Sequence, residues 1–382
     1  MVRTVGLEEE LMLLDPRSRE VAPAAQRVLK EFRERGRGRG HSRGHARAAT
    51  DELDQELFRH QLEIRTDPAC DADDLHAQLV AARRTAGEAA AAAGLALGAC
   101  GTVPLGGEEA AVSPNDRYRD MVDTFGDVAR TGGTCGMHVH VGIESDEEGV
   151  VVLDRIAPWL PALLALSANS PYAEGRDTGY ASWRAQVWRR WPSAGPTERF
   201  GSVAGYHEVC RTMLASGAAR DPGMLYLDAR LSTGQPTVEV RVCDVCTDPA
   251  EAVTIAVLVR GLVETAARDA VSGVPVPAWR AEELRVAHWR ASRYGMADHL
   301  VHPLHRELRP AREVLDDLAR HLGPVLAEAG DAERVAAVLE RAVRDNGATR
   351  QRAAFERTAS VQGVVDDLVA RTEATWRPAG KP

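Results

Sequence analysis

The sequence predicts an α+β fold with a largely antiparallel sheet and a helical C-terminal segment. Strand-like segments, in which apolar and polar residues alternate, are separated by helical segments at irregular intervals rather than in a regular β–α repeat. Residues 310–376 contain two or three amphipathic helical patterns with Arg and Glu on their polar faces. With 382 residues, 44% of them hydrophobic, the chain can bury a sizeable core.

Composition argues against several classes of protein. The chain has 47 Lys and Arg against 56 Asp and Glu, a formal charge of −9, whereas nucleic-acid binders depend on neutralising phosphates. No apolar run reaches the roughly 18–20 residues of a membrane span, and acidic residues interrupt the region where a signal peptide is apolar. The 6 cysteines are too sparse for a disulfide framework. We expect a cytoplasmic protein with free thiols and neither membrane nor nucleic acid as a partner.

Strands are predicted from aliphatic or alternating runs that end at turn residues. The first ends at Asp15-Pro16, and the last two form a pair joined across Gly234-Gln235-Pro236. The predicted strands are residues 4–14, 55–66, 134–143, 224–231 and 237–242.

Helices are predicted between these strands. Residues 21–35 and the alanine-rich residues 73–97 have helical composition. Residues 149–168 form a strongly apolar helix, which Pro158 and Pro161 should kink or split.

The clearest helix start is at Asp248, a good N-cap residue. Pro249 follows at the first helical position, and Glu251 is placed to complete a capping box. We expect this helix to run through Val271 and to stop near Gly273.

Residues 36–47 are rich in Arg and Gly and lack the apolar residues that a core requires. We interpret this tract as a flexible surface loop inserted into the chain. The alternative is an RNA-contacting segment, but the tract is short and the protein is acidic.

Acidic residues of the first strand lie on one face, because side chains two apart in a strand point the same way. Glu8 and Glu10 share a face, opposite a face of aliphatic residues. Glu9 falls on that aliphatic face, and the sequence offers no partner for it. Glu56 and Glu63 are separated by an odd number of positions, so a bulge or bend must intervene if both face one site.

Two other strands repeat this pattern. His138 and His140 share one face of their strand, and Glu239 and Arg241 share one face of theirs, each opposite a row of aliphatic residues. If these faces converge, five carboxylates and two imidazoles share a volume with Arg241. Such crowding requires divalent cations, and oxygen-rich ligands with an occasional His suit Mg²⁺ or Mn²⁺.

Several motifs occur in order from residue 4 to about 370. They are Gly6-Leu7-Glu8-Glu9-Glu10-Leu11, Gly136-Met137-His138-Val139-His140-Val141-Gly142, Leu166-Ser167-Ala168-Asn169-Ser170-Pro171, Asp177-Thr178-Gly179-Tyr180-Ala181-Ser182-Trp183-Arg184, Thr237-Val238-Glu239-Val240-Arg241-Val242 and the helix from Asp248-Pro249 to Leu258-Val259-Arg260-Gly261-Leu262-Val263. With these motifs the chain resembles the bacterial glutamate–cysteine ligase type 2 family, carboxylate–amine ligases of the glutamine synthetase superfamily.

The resemblance implies a single catalytic domain, residues 1–382, with an antiparallel sheet of about six strands, helices on one side and C-terminal helices packed on this core. It implies ATP-dependent formation of γ-glutamylcysteine from glutamate and cysteine through γ-glutamyl phosphate. It also implies Mg²⁺, with Mn²⁺ as a substitute, and makes a homo-oligomer plausible.

Carried over by position, the resemblance assigns roles to individual residues. Arg241 would contact phosphate, with Arg230 as a second candidate for ATP, and His140 would lie beside the transferred phosphoryl group. Arg184, with Tyr180 and Ser182 nearby, would bind the glutamate carboxylate. The implied metal ligands are Glu8, Glu10, Glu56, Glu63, His138 and Glu239.

The chain departs from the family pattern after Tyr226. Leu227 and Leu231 stand where the family usually has Trp and Pro, which affects the expected shape of the wall near Arg230. Cys243 and Cys246 follow the Glu239 strand, where we expect no functional thiol pair.

Other functions remain open at this level. Cys135, His138 and His140, together with Cys243 and Cys246, could form a zinc site, although strand alternation places Cys135 opposite the two histidines. A γ-glutamyl ligase that uses another amine is a second alternative. A non-catalytic or RNA-contacting protein is a third.

Overall fold

The computed structural model describes residues 2–38, 53–106, 111–131 and 133–377. Its strands are β1 (Val5–Leu14), β2 (Asp54–Gln55), β3 (Gln61–Arg65), β4 (Ala96–Gly98), β5 (Gly136–Gly142), β6 (Tyr172–Ala173), β7 (Arg176–Asp177), β8 (Ala229–Leu231), β9 (Thr237–Asp244), β10 (His299–Val301) and β11 (Leu308–Pro310). Its helices are α1 (Ala25–Gly38), α2 (Ala72–Ala92), α3 (Asp116–Phe125), α4 (Asp127–Arg130), α5 (Asp146–Ile156), α6 (Leu160–Ser167), α7 (Arg184–Trp188), α8 (Val203–Ala215), α9 (Pro249–Val271), α10 (Ala281–Tyr294), α11 (Ala311–His321), α12 (Gly323–Ala329), α13 (Ala332–Ala342), α14 (Gly347–Thr358) and α15 (Val361–Ala374).

The main sheet is antiparallel throughout, as predicted. Its order is β2-β3-β1-β5-β9-β8, with β4 as a seventh strand paired to the end of β1. Helices α2, α5, α6 and α9 pack against it. The aliphatic faces of β1, β5 and β9 are buried in one core, and their polar faces therefore lie together on the other side of the sheet.

Three predicted segments have other bounds in the structure. Residues 55–66 form a hairpin, β2 and β3, rather than one strand. The alanine-rich helix stops at Ala92 because Gly94 takes a positive φ of 71°, and residues 96–98 form β4 instead of a last helical turn. Residues 222–224 form a 3₁₀ turn, so the strand predicted over 224–231 is limited to β8.

The helices agree with the sequence in most respects. The apolar segment 149–168 is split into α5 and α6 at its prolines. Asp248 caps α9 through the main-chain N–H of Ala250, but Glu251 instead forms a buried ion pair with Arg350. The C-terminal region contains five helices, α11 to α15, rather than two or three, because caps such as Gly330 and Asn346 divide it.

One helical stretch, residues 146–167, is long and apolar enough to cross a membrane, and its most apolar window is 78% buried within the protein. It is a core segment of this fold. Of the Arg- and Gly-rich tract, residues 36–38 end α1, and the predicted loop over residues 39–47 lies outside the described residues.

Candidate active site

A cavity of about 420 Å³ lies on the polar face of the sheet. The hairpin β2–β3 and strands β1, β5, β8 and β9 each contribute charged side chains to its wall. Nine of the residues predicted for the site line it: Glu8, Glu10, Glu56, Glu63, His138, His140, Arg230, Glu239 and Arg241.

Strand register explains this convergence. Glu10 lies directly opposite Glu63 on β3, and Glu8 lies opposite His138 on β5. On the next strand pair, His140 lies opposite Glu239. Since directly opposed side chains in an antiparallel pair are neighbours on one face, the charged residues form a continuous row across the sheet.

The centre of the row combines two carboxylates and two imidazoles. Glu8 Oε2 is 3.3 Å from His138 Nδ1 and 3.5 Å from His140 Nε2, and His138 Nδ1 is 4.0 Å from Glu239 Oε1. Burial alone would raise the pKa of Glu8, but hydrogen bonds with the two histidines hold it well below its ordinary value. Glu8 is therefore ionised and available as a ligand.

A second group of carboxylates lies beside this centre. The β2–β3 hairpin brings Glu56 next to Glu63, which resolves the odd spacing noted in the sequence. Burial, and then the charges of Glu63 and Glu10, raise the pKa of Glu56 well above its ordinary value. Glu10 Oε2 accepts a hydrogen bond of 2.7 Å from the main-chain N–H of Gly136. These carboxylates repel one another without a cation between them.

Two arginines lie at the other end of the row of charged residues. Arg230 Nε donates to Glu239 Oε2 at 2.8 Å, and Arg241 Nη1 donates to Glu239 Oε1. Burial works to raise the pKa of Glu239, but the two arginines hold it well below its ordinary value. Both guanidinium groups are thus held in place at the wall of the cavity.

The donor set fits a hard divalent cation. Glu8, His140 and Glu239 each offer a ligand atom, and these atoms lie within 4.8 Å of one another. The Nε2 atom of His138 is buried and lacks a hydrogen-bond partner among the described residues, and that of His140 is 3.5 Å from Glu8 Oε2. Carboxylate oxygens together with an occasional imidazole nitrogen are ligands for Mg²⁺ or Mn²⁺.

Several residues of the cavity wall are not predicted from the sequence. Arg65, which pairs with Glu63 and with Asp54, lies two positions from Glu63 and could have been found by strand alternation. The aromatic wall comes from loops and short helices, whose position no periodic pattern predicts. It is formed by Phe58, Tyr118, Trp188, Trp191 and Tyr226.

Three predicted substrate contacts lie outside the cavity wall. The Ser182 hydroxyl is buried and donates to Asp244 at 2.8 Å, and Tyr180 Oη accepts a hydrogen bond from Trp289 at 3.4 Å. Arg184 is 2% exposed, and its guanidinium faces main-chain carbonyls. The expected direct contact between these three side chains and glutamate is therefore not supported by this geometry.

Leu227 and Leu231, the departures from the family pattern, belong to the hydrophobic core. Tyr226, which precedes Leu227, lines the cavity, whereas neither leucine does.

The cysteines proposed as zinc ligands do not lie beside the histidines of the cavity. A register irregularity between β5 and β9 places Cys243 opposite Met137, and both residues are fully buried in the core together with Cys135. Burial raises the pKa of Cys243 to about 12. Among the described residues, the clusters able to hold a metal are Glu8–His140–Glu239 and His302–His305–Asp317, and neither contains a cysteine. The zinc alternative built on these thiols is therefore not supported by this geometry.

Comparison with known proteins relates the chain to one protein family. The profile of Glutamate-cysteine ligase family 2 (GCS2) matches residues 4–371. A protein of Nocardioides sp. named "Putative glutamate--cysteine ligase 2-1" is 74% identical over 99% of this chain and 98% of its own length. One of Streptomyces coelicolor named "Putative glutamate--cysteine ligase 2" is 45% identical over 98% of this chain and 100% of its own length.

A solved structure shares the fold at much lower identity. The crystal structure of a glutamate–cysteine ligase from Francisella tularensis in complex with AMP matches with a TM-score of 0.66 and 11% identity, covering 99% of this chain and 90% of that one. Together with the antiparallel sheet and its helices, this likeness shows that the chain has the fold of that glutamate–cysteine ligase.

Proposed function

The chain belongs to glutamate–cysteine ligase family 2, and on this premise we propose that it is an ATP-dependent ligase that joins the γ-carboxylate of glutamate to the amine of cysteine. The observation that supports this most is the row of carboxylates, imidazoles and arginines in one cavity. Such a row suits a reaction in which negative charge develops on phosphoryl oxygens. The AMP complex of the Francisella tularensis enzyme supports ATP as the nucleotide.

Glu8, Glu10, Glu56, Glu63, His138 and Glu239 are the proposed ligands of Mg²⁺, for which Mn²⁺ could substitute. When bound, such ions neutralise the carboxylates and the phosphate oxygens of ATP. The unpartnered Nε2 atom of His138 and the raised pKa of Glu56 support this assignment.

In the proposed first step the γ-carboxylate of glutamate attacks the γ-phosphorus of ATP, giving γ-glutamyl phosphate and ADP. Arg241 stabilises the charge on the transferred phosphoryl group, and Arg230 supports it from the neighbouring strand. Because Glu239 holds both guanidinium groups, they need little reorganisation when the charge develops. His140 lies beside the transferred phosphoryl group, and its Nδ1 atom is 3.1 Å from Thr237 Oγ1.

In the second step the amine of the acceptor attacks the acyl carbon, an amide bond forms and phosphate leaves. The aromatic wall, with Trp188 and Tyr226 beside Arg241, favours an amino acid with an apolar or thiol-bearing side chain over ammonia. Ligation of glutamate to another amine of this kind is the second candidate function.

We also propose that the chain acts as one catalytic domain in the cytoplasm, where ATP and free glutamate are available. Contacts of α15 with β4 and of α13 with α9 support a single unit, since they join the C-terminal helices to the sheet and to a helix packed on it.

An assay of ADP release tests the function. Glutamate and Mg²⁺–ATP are held constant while cysteine, other amino acids and simple amines are offered as the second substrate. We expect ADP and an amide product with cysteine, and a different preferred amine would select the second candidate. Failure of every amine to stimulate ADP release would contradict the proposed function.

A further inference from the structure

Strand β9 carries an irregularity beside the cavity. Val139 lies opposite Val240, but Met137, two residues away, lies opposite Cys243, three residues away. Arg241 and Val242 therefore share the place of one residue on β5, which is the geometry of a β-bulge. Because of the bulge, Cys243 lies in the core rather than on the cavity side where alternation alone would place it, whereas Arg241 keeps the side that it shares with Glu239.

Arg184, which lies outside the cavity, donates hydrogen bonds to the main chain of this bulge. Its Nη2 donates to the carbonyl of Arg241 at 3.3 Å and its Nη1 to the carbonyl of Val242 at 3.4 Å. Its guanidinium lies 5.5 Å from the Trp188 ring, and that of Arg241 lies 6.0 Å from the same ring. Trp188 and Arg241 line the cavity, whereas Arg184 does not.

The same guanidinium is in contact with the strand that anchors Glu10. A Cβ atom at Gly136 would overlap Arg184 Nη2, so the close approach requires glycine at this position. The main-chain N–H of Gly136 donates to Glu10 Oε2. Arg184 thus contacts the main chain at two places. One is the bulge of β9 that includes Arg241, and the other is Gly136 of β5, whose N–H binds Glu10.

A buried carboxylate, Asp244, lies near Arg184. Asp244 accepts hydrogen bonds from Asn169 N, Ser170 Oγ and Ser182 Oγ at 2.7–2.8 Å. Burial raises the pKa of Asp244, and the charge of Arg184 acts in the opposite direction. Ser182 therefore binds this buried carboxylate and does not line the cavity.

We propose that Arg184 is a positioning residue, which fixes the main chain that carries Arg241 on β9 and the main chain of β5 that anchors Glu10. The inference rests on the proposed function, because it assigns Arg241 to phosphate and Glu10 to metal. It also replaces the expectation that Arg184 binds the glutamate carboxylate.

Steady-state kinetics separate the two roles. Arg184→Lys keeps the charge but loses the planar pair of donors, so we expect kcat to fall by about 10-fold or more with the KM for glutamate nearly unchanged. Gly136→Ala, which displaces the same guanidinium, should give the same pattern. A large rise in the KM for glutamate at unchanged kcat would overturn the proposal, because it would indicate direct substrate binding.

Arg350→Lys is the matched control, since Arg350 is also a buried arginine but binds Glu251 near the C-terminal helices. We expect it to lower the melting temperature without changing kcat. An equal loss of kcat in this variant at an equal loss of stability would also overturn the proposal.

Binding of Mn²⁺, followed by electron paramagnetic resonance without substrates, gives a readout independent of turnover. We expect weaker binding in Arg184→Lys and Gly136→Ala, but not in Arg350→Lys, because Glu10 loses its anchor. If the wild type releases no ADP with any amine, the proposed function fails. The Mn²⁺ affinities of the variants still test whether Arg184 positions Glu10, because they do not depend on turnover. Unchanged Mn²⁺ affinity in both site variants would contradict it.

Discussion

Glu9 and Arg83 form a fully buried ion pair that joins strand β1 to helix α2. Both guanidinium–carboxylate hydrogen bonds are 2.8 Å long, and Arg83 also donates to the carbonyls of Cys246 and Thr247. The pair gives Glu9 its partner on the apolar face, between the two carboxylates that face the cavity. It also ties β1 to the segment that leads into α9.

We predict that Arg83→Met lowers the free energy of unfolding by about 3–5 kcal/mol, because it leaves the Glu9 carboxylate buried without its cation. The double variant Glu9→Leu/Arg83→Met should recover much of this loss, since no charge remains buried. Urea denaturation measures both values. Lys30→Ala, which removes one partner of an exposed pair with Glu34, is the control and should change stability by less than about 0.5 kcal/mol. A double variant no more stable than Arg83→Met would contradict this account.

Removal of charge from the cavity should abolish most turnover. Glu10→Gln removes a proposed metal ligand and Arg241→Ala removes a phosphate contact, so each should reduce kcat about 10²–10³-fold, or roughly 3–4 kcal/mol. Both variants should keep the far-ultraviolet circular dichroism of the wild type. Arg211→Ala, in an exposed pair with Glu208, serves as the control and should retain activity. Wild-type rates of ADP release in either site variant would count against the assignment.

Metal depletion should separate the ligase from the zinc alternative. We expect chelation to stop ADP release and either Mg²⁺ or Mn²⁺ to restore it, because the clustered donors are carboxylates and imidazoles. Mg²⁺ should also raise the melting temperature of the wild type, since a bound cation relieves repulsion among the carboxylates. The rise should be smaller in Glu239→Gln. Stoichiometric zinc in the purified protein, retained together with activity after Mg²⁺ removal, would favour the alternative.

The sequence was informative wherever function follows strand alternation. Glu8, Glu10, His138, His140 and Glu239 could be assigned to one face because a period of two needs only local residues. The register that brings them into one row depends on pairing between distant strands, and only the structure shows it.

Long-range contacts account for the incorrect or missing predictions. Arg83 lies 74 residues from Glu9, and no local pattern links them. The family resemblance assigned Arg184 to the glutamate carboxylate, yet its guanidinium binds the carbonyls of a bulge 57 and 58 residues away. The position of Trp188, at the end of the short helix α7, depends on the folding of the whole wall.

Acid should destabilise the protein partly through His60. The imidazole is 1% exposed and stacks on Phe58, and its Nε2 has no hydrogen-bond partner among the described residues. Burial lowers the pKa of His60 from its ordinary 6.5 to about 4. The unfolded chain therefore binds this proton more readily than the folded one, so stability present above pH 6.5 is lost as the pH falls towards 4.

The expected loss from this residue is up to about 3 kcal/mol, which follows from the size of the pKa shift. His60→Gln, which cannot be protonated, should unfold with a correspondingly shallower dependence on pH between 6.5 and 4. Urea denaturation at a series of pH values measures the difference, with the exposed His207→Gln as the matched variant. Because His207 is solvated in both states, its replacement should leave the slope of the wild type. Parallel curves for wild type and His60→Gln would show that the imidazole is protonated equally in both states, contrary to its burial beneath Gly133.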